Sequence, residues 1–178
     1  ETEELVKLTS NCLLSGKAIV RMRNTTEGDL DLWWTRDAGI GWPEYRSDTP
    51  DSLRRSLAQK DEAVQIWEHM VSLAEQVQWP DPHLADFALG SVHYGLGLAR
   101  IYRAIFYLDA ARRNDDQQAI ARELDRYDAA WRAYDGLPTR FAHLSDRYRK
   151  DYRRHIAHPA DEVVNELRTR SAPESAQR

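Results

Sequence analysis

The chain has 178 residues, 30% of them charged and 42% hydrophobic, with a formal net charge of −4. A chain of this size buries a substantial single-domain core, and its acidic balance gives no general electrostatic attraction for nucleic acid. No apolar run approaches the ~20 residues needed to cross a bilayer, and a single cysteine excludes an internal disulfide.

The opening residues, ETEELVK, do not make a signal peptide. With no initiator methionine before them, the expectation is a processed chain or a piece of a longer one. Residues 3–22 read as a first helix, with Leu5, Leu8, Cys12, Ile19 and Met22 near one face. There Cys12 reads as a small buried hydrophobe rather than a reactive thiol. Asn24-Thr25-Thr26 fits a glycosylation sequon, a pattern that is common by chance and matters only in a secretory context.

Residues 23–48 show neither helical nor strand periodicity. Gly28, Gly39, Gly41 and Pro43 punctuate them, and Trp33, Trp34, Trp42 and Tyr45 lie between. Structureless connections beyond ~12–15 residues are uncommon in compact domains unless functional or disordered, and large aromatics argue against disorder. An ordered loop with a function is expected.

Thr49-Pro50-Asp51 is a strong helix start, a capping residue followed by proline at the first position. That helix runs to about residue 78, with Leu53, Leu57, Val64, Trp67, Val71 and Ala74 on one side. Trp79-Pro80-Asp81-Pro82 makes a rigid corner. Asp81 then caps a long central helix over residues 81–113, about 50 Å of rod. Leu84, Phe87, Ala88, Leu98, Ile101, Tyr102, Ile105 and Phe106 give it a broad apolar face, so it must be covered on several sides. The strip left over is Asp86, Gly90, His93, Gly97, Arg100 and Ala104. Gly90, Gly97, Ala104 and Ala111 recur every seven residues. Either a second helix packs closely on that bare backbone, or a ligand rests there beside His93 and Arg100.

Ile120, Leu124, Tyr127, Trp131 and Tyr134 mark the next amphipathic helix, closed by Gly136 and Pro138. A further helix is expected from Thr139, carrying Phe141, Leu144, Tyr148, Tyr152 and Ile156. Pro159 interrupts it, and a short amphipathic piece with Val163, Val164 and Leu167 precedes a polar, disordered tail at 171–178. The expected fold is a single all-α domain over residues 1–170. It is an up-and-down bundle of about five helices with a long Trp-rich loop between the first two.

The segment DLWWTRDAGIGW, residues 31–42, is the most specific-looking. The indoles of Trp33, Trp34 and Trp42 suit the faces of sugar rings, and Arg36 and Asp37 offer a donor fork and an acceptor. The favoured expectation is that at least two of these tryptophans staple the loop to the bundle while Arg36 and Asp37 tie up its backbone. His155 and His158 have a spacing that places two imidazoles on one helix face, but no third ligand stands at a telling distance and Pro159 reads as a helix end, so no metal is expected. In RYRKDYRR, residues 147–154, Tyr148 and Tyr152 share the apolar stripe and Asp146 and Asp151 break the charge, which favours a solvated face over a nucleic-acid patch. No nucleophile elbow, phosphate loop, zinc-protease or dinucleotide motif is present, so no catalytic residue is assigned and no cofactor is expected.

Ser15-Gly16-Lys17-Ala18, Trp33-Trp34-Thr35-Arg36-Asp37, Tyr94-Gly95-Leu96 and Arg100-Ile101-Tyr102-Arg103 together give the chain a further aspect. It resembles the helical domains that follow the TIM barrel in large bacterial carbohydrate-active enzymes, particularly glycoside-hydrolase-like proteins. The resemblance implies a non-catalytic accessory module. Its partner would be the catalytic domain of the same parent chain or a second copy of the module, with carbohydrate met at the Trp-rich loop and neither nucleic acid nor membrane involved. The barrel is absent, so no catalytic residue is carried over. Three rival readings stand beside it: a free-standing small-molecule-binding bundle with its pocket at Gly90, His93, Gly97 and Arg100, an enzyme whose catalytic groups sit in that same strip, and a purely structural or oligomerising bundle.

Overall fold

The structure, a computed structural model, describes residues 30–31, 44–45, 49–144 and 158–171. The expected helix at 3–22 with Cys12, the tryptophans of the loop, residues 145–157 and the tail beyond 171 lie outside the described residues. Those described are all-α: α1 (Pro50–Gln76), α2 (Pro82–Arg113), α3 (Gln117–Asp135), a single turn α4 (Leu137–Arg140) and α5 (His158–Ser171). A two-residue antiparallel pair, β1 (Leu30–Asp31) and β2 (Glu44–Tyr45), sets Leu30 opposite Tyr45 and Asp31 opposite Glu44.

Local chemistry starts each long helix. Thr49 and Ser52 form a reciprocal capping box, Ser52 N–H donating to Thr49 Oγ1 and Thr49 N–H to Ser52 Oγ, both at 3.2 Å. Asp81 accepts from His83 N–H at 2.8 Å, with Pro82 in the first helical turn. Between α2 and α3 the chain turns through Asp115 at φ 51°, a left-handed conformation that Asp tolerates, and Asp116 caps α3 through Ala119 N–H.

The core is centred on α2, with α1 packed on one side of it and α3 on the other. Ile101, Phe106 and Leu108 are fully buried, each worth about 1.5–3 kcal/mol of transfer free energy. Ile120, Leu124, Tyr127, Trp131 and Tyr134 turn the apolar stripe of α3 onto α2. On α5, Ala160, Val164 and Leu167 are buried, and Tyr127 Oη donates to Asp161 Oδ1 at 2.7 Å.

Polar contacts set the direction and register of α1 against α2. His93 meets Glu75, Arg100 meets Glu68, and Arg103 and Tyr107 both meet Asp61. As numbers rise on α2 they fall on α1, so the pair is antiparallel. The steps 75, 68, 61 and 93, 100, 107 are each a heptad.

Four expectations are corrected. Leu84 and Phe87 are 47% and 59% exposed rather than part of a covered face. α1 has already ended where α2 begins, so among the described residues no helix stands opposite them there. The N-terminal half of α1 buries Ser52, Ser56, Gln59 and Lys60, while Leu53 and Leu57 are only half-buried. Lys60 is accommodated with its ammonium 4.5 Å from the Phe106 ring centre. Over its described residues, 139–144, the helix expected from Thr139 is instead the turn α4 followed by Phe141 extended at φ −126° and ψ 110°, while the rest of that expected helix lies outside the described residues. Contacts to α2 hold it so: Phe141 stacks on His93, and Asp86 accepts from Ala142 N–H and pairs with His143. His158, finally, opens α5 rather than standing at a helix end, because Pro159 fits a first turn where its missing N–H costs nothing.

Candidate functional site

The small-residue strip of α2 has two fates. Where rings approach, glycine makes room: a Cβ on Gly95 would lie 2.4 Å from the Trp67 ring, one on Gly97 3.0 Å from Tyr134 Cδ2, and one on Gly90 2.2 Å from His143 Cε1. Between those contacts, α1 and α3 diverge over the strip and leave a cavity of about 540 Å³. Its floor is His93, Leu96, Gly97 and Arg100 of α2. Glu68 and Val71 of α1 form one wall, Arg132, Ala133 and Tyr134 of α3 the other, and Gly136, Leu137 and Arg140 close the end. This volume is in the range of small-molecule sites.

The lining is cationic. Arg100, Arg132 and Arg140 reach it with Glu68 as the single acid among the lining residues. Arg100 Nη2 bonds Glu68 Oε1 at 2.9 Å, and Arg140 Nη2 stands 3.6 Å from Glu75 Oε1 with its guanidinium over Phe141. The side chain of Arg132 has no acidic partner among the described residues. His93 Nε2 lies 3.2 Å from Glu75 Oε1, and since a carboxylate only accepts, that nitrogen carries the proton. Burial, and then the positive charge of Arg140, push the His93 pKa below its ordinary value, with the Glu75 contact opposing them. Neutral His93 is therefore the resting form at pH 7.

Of the sequence candidates, His93, Gly97 and Arg100 come together at one cavity, whereas Gly90 is taken up beneath His143 and Phe141. Trp33, Trp34, Arg36, Asp37 and Trp42 lie outside the described residues. Sequence reasoning missed Arg132 and Arg140, which sit on either side of the Gly136 turn and look like ordinary surface arginines. It also missed Glu68 and Glu75, whose signal was available in the matching heptads of α1 and α2. Among the described residues no group of three His, Cys, Asp or Glu could hold a metal ion, and no helix is long and apolar enough to cross a membrane. Nor, among the described residues, is any nucleophile set against a base in the cavity. The arrangement suits holding an anion.

No family model, no curated protein and no solved structure matches the chain significantly.

Proposed function

We propose that this chain is a helical binding module that takes a small organic anion into the groove between α1 and α3, over the glycine strip of α2. The observation that carries the reading is a cavity ringed by Arg100, Arg132 and Arg140 in a chain whose net charge is −4. Arg132 in particular presents a guanidinium without an acidic partner among the described residues. A guanidinium donates a planar fork of N–H groups that matches a carboxylate or phosphate, and Val71, Leu96 and Leu137 supply apolar walls for the body of the ligand.

Titration calorimetry with octanoate tests it. Arg132→Ala and Arg140→Ala should each weaken binding about tenfold, the loss of one charged hydrogen-bonded contact, and Gly97→Leu should abolish it by filling the floor. Binding unaffected by all these substitutions contradicts the proposal.

The accessory-domain reading is supported by one structural feature. The β1–β2 pair sets the residues that flank the Trp-rich segment side by side, Leu30 opposite Tyr45 and Asp31 opposite Glu44. It expects ligand or partner contacts at Trp33 and Trp34 rather than at the groove, so a map of ligand contacts along the chain separates the two readings.

A further inference from the structure

The groove does not end at the first cavity. A second one, of about 380 Å³, continues along the same strip, with Ala104 as part of its floor and Val64, Ala129 and Ala130 in its walls. Arg100, Glu68 and Ala133 line both. All three helices run through the two chambers in the same order. The second chamber takes earlier residues of α1 and α3 and later residues of α2, as the antiparallel packing requires. The Arg100–Glu68 pair is thus a bar across the middle of one continuous groove.

The far chamber carries its own cations, Arg103 and Arg126. Their acidic partners do not line it. Arg103 Nε bonds Asp61 Oδ1 at 2.6 Å, and Arg126 Nη1 bonds Glu123 Oε1 at 2.6 Å, with Glu123 almost wholly buried. A guanidinium has five N–H donors, so each arginine spends one on the carboxylate beside it and keeps most of its fork. Ala104, Ala130 and Ala133 in the centre offer a ligand no hydrogen bonds from their side chains. From His93 to Arg103 the groove extends about 15 Å along α2.

We infer, building on the anion-binding reading above, that the ligand is an elongated molecule with an apolar middle and an acidic group at each end. One acid is held by Arg132 and Arg140 and the other by Arg103 and Arg126, with the chain lying across the Arg100–Glu68 bar. Carboxylate and phosphate share the required chemistry.

The test is calorimetry on the full chain with suberate against octanoate, and in parallel with octane bisphosphonate against octylphosphonate. The second acid adds a charge-assisted contact, so the two-headed ligand should bind about tenfold or more tightly than its one-headed match. The head group with the larger gap identifies the acid. Arg126→Gln should erase that gap while leaving octanoate binding in place. Ala129→Phe, which fills the far chamber without touching an ion pair, should do the same and guards against a folding defect in the first variant. Equal affinity for one- and two-headed ligands in both arms overturns the inference but leaves the anion site standing. Absence of binding by all four probes overturns the anion site and the inference together.

Discussion

At the scale of single residues, the glycines of α2 separate close packing from open floor. A methyl at Gly95 would meet Cη2 and Cζ3 of Trp67, both at 2.4 Å, and that indole is itself buried and cannot swing aside. Overpacking of this kind costs about 1–3 kcal/mol, against a gain of about 1 kcal/mol for replacing glycine with alanine in a helix. At Gly97 the nearest atom is Tyr134 Cδ2 at 3.0 Å, so a methyl there asks for only a few tenths of an ångström of give. Urea melts should therefore find Gly95→Ala clearly less stable than the parent and Gly97→Ala close to it, and the opposite order would refute this account of the strip. The presence of glycine inside an apolar helix announced close approach to something. Which ring approaches was not legible, because Gly95 lies off the seven-residue repeat and its neighbour Trp67 is fixed by the rotation of α1. That rotation also escaped sequence reading in the first turns, where Ser52 and Ser56 are buried in preference to Leu53 and Leu57.

At the scale of elements, α1 and α2 are tied by a heptad ladder whose His93 rung sits in the cavity. Its partners there are Glu75, Arg140 and, more weakly, Arg100. The folded-state pKa of His93 is lowered from 6.5, first by burial and then by Arg140. A histidine depressed in this way carries no penalty above its ordinary pKa. As pH falls below 6.5 the unfolded chain takes up the proton first, and stability is lost until the folded value is passed. Denaturation midpoints should drop on acidification through this window, and His93→Gln should flatten the part of the slope that His93 supplies. Protonation also adds a positive charge to the cavity, so octanoate affinity should move the other way, rising as stability falls. An affinity that stays flat across the window, or the same slope in the variant, would place His93 outside the site. The elements themselves were largely legible: Thr49 and Asp81 cap where cap chemistry put them, and the stripe from Ile120 to Tyr134 is buried as its spacing required. The misread stretch, after Pro138, is held by tertiary contacts of Phe141 and His143 with α2, which no local pattern announces.

For the whole molecule, the defining feature is a local reversal of charge: an acidic chain that sets five of its arginines along one groove. Composition concealed this, since 25 basic and 29 acidic residues average to a weakly negative surface. The groove exists because two helices share a third as packing partner without packing firmly on each other. Its cations come from two helices and a turn, so no contiguous motif records them. His93, Gly97 and Arg100 were visible because they share one helix; Arg132 and Arg140 became part of the site only when α3 and α4 folded back beside them. The most direct measurement is a backbone-amide NMR map of the full chain titrated with suberate. The account predicts shifts concentrated at residues 64–71, 93–104 and 126–140, with the Trp-rich segment 31–45 undisturbed. Shifts confined to 31–45, leaving the groove silent, would contradict it and move the binding function to the tryptophan loop.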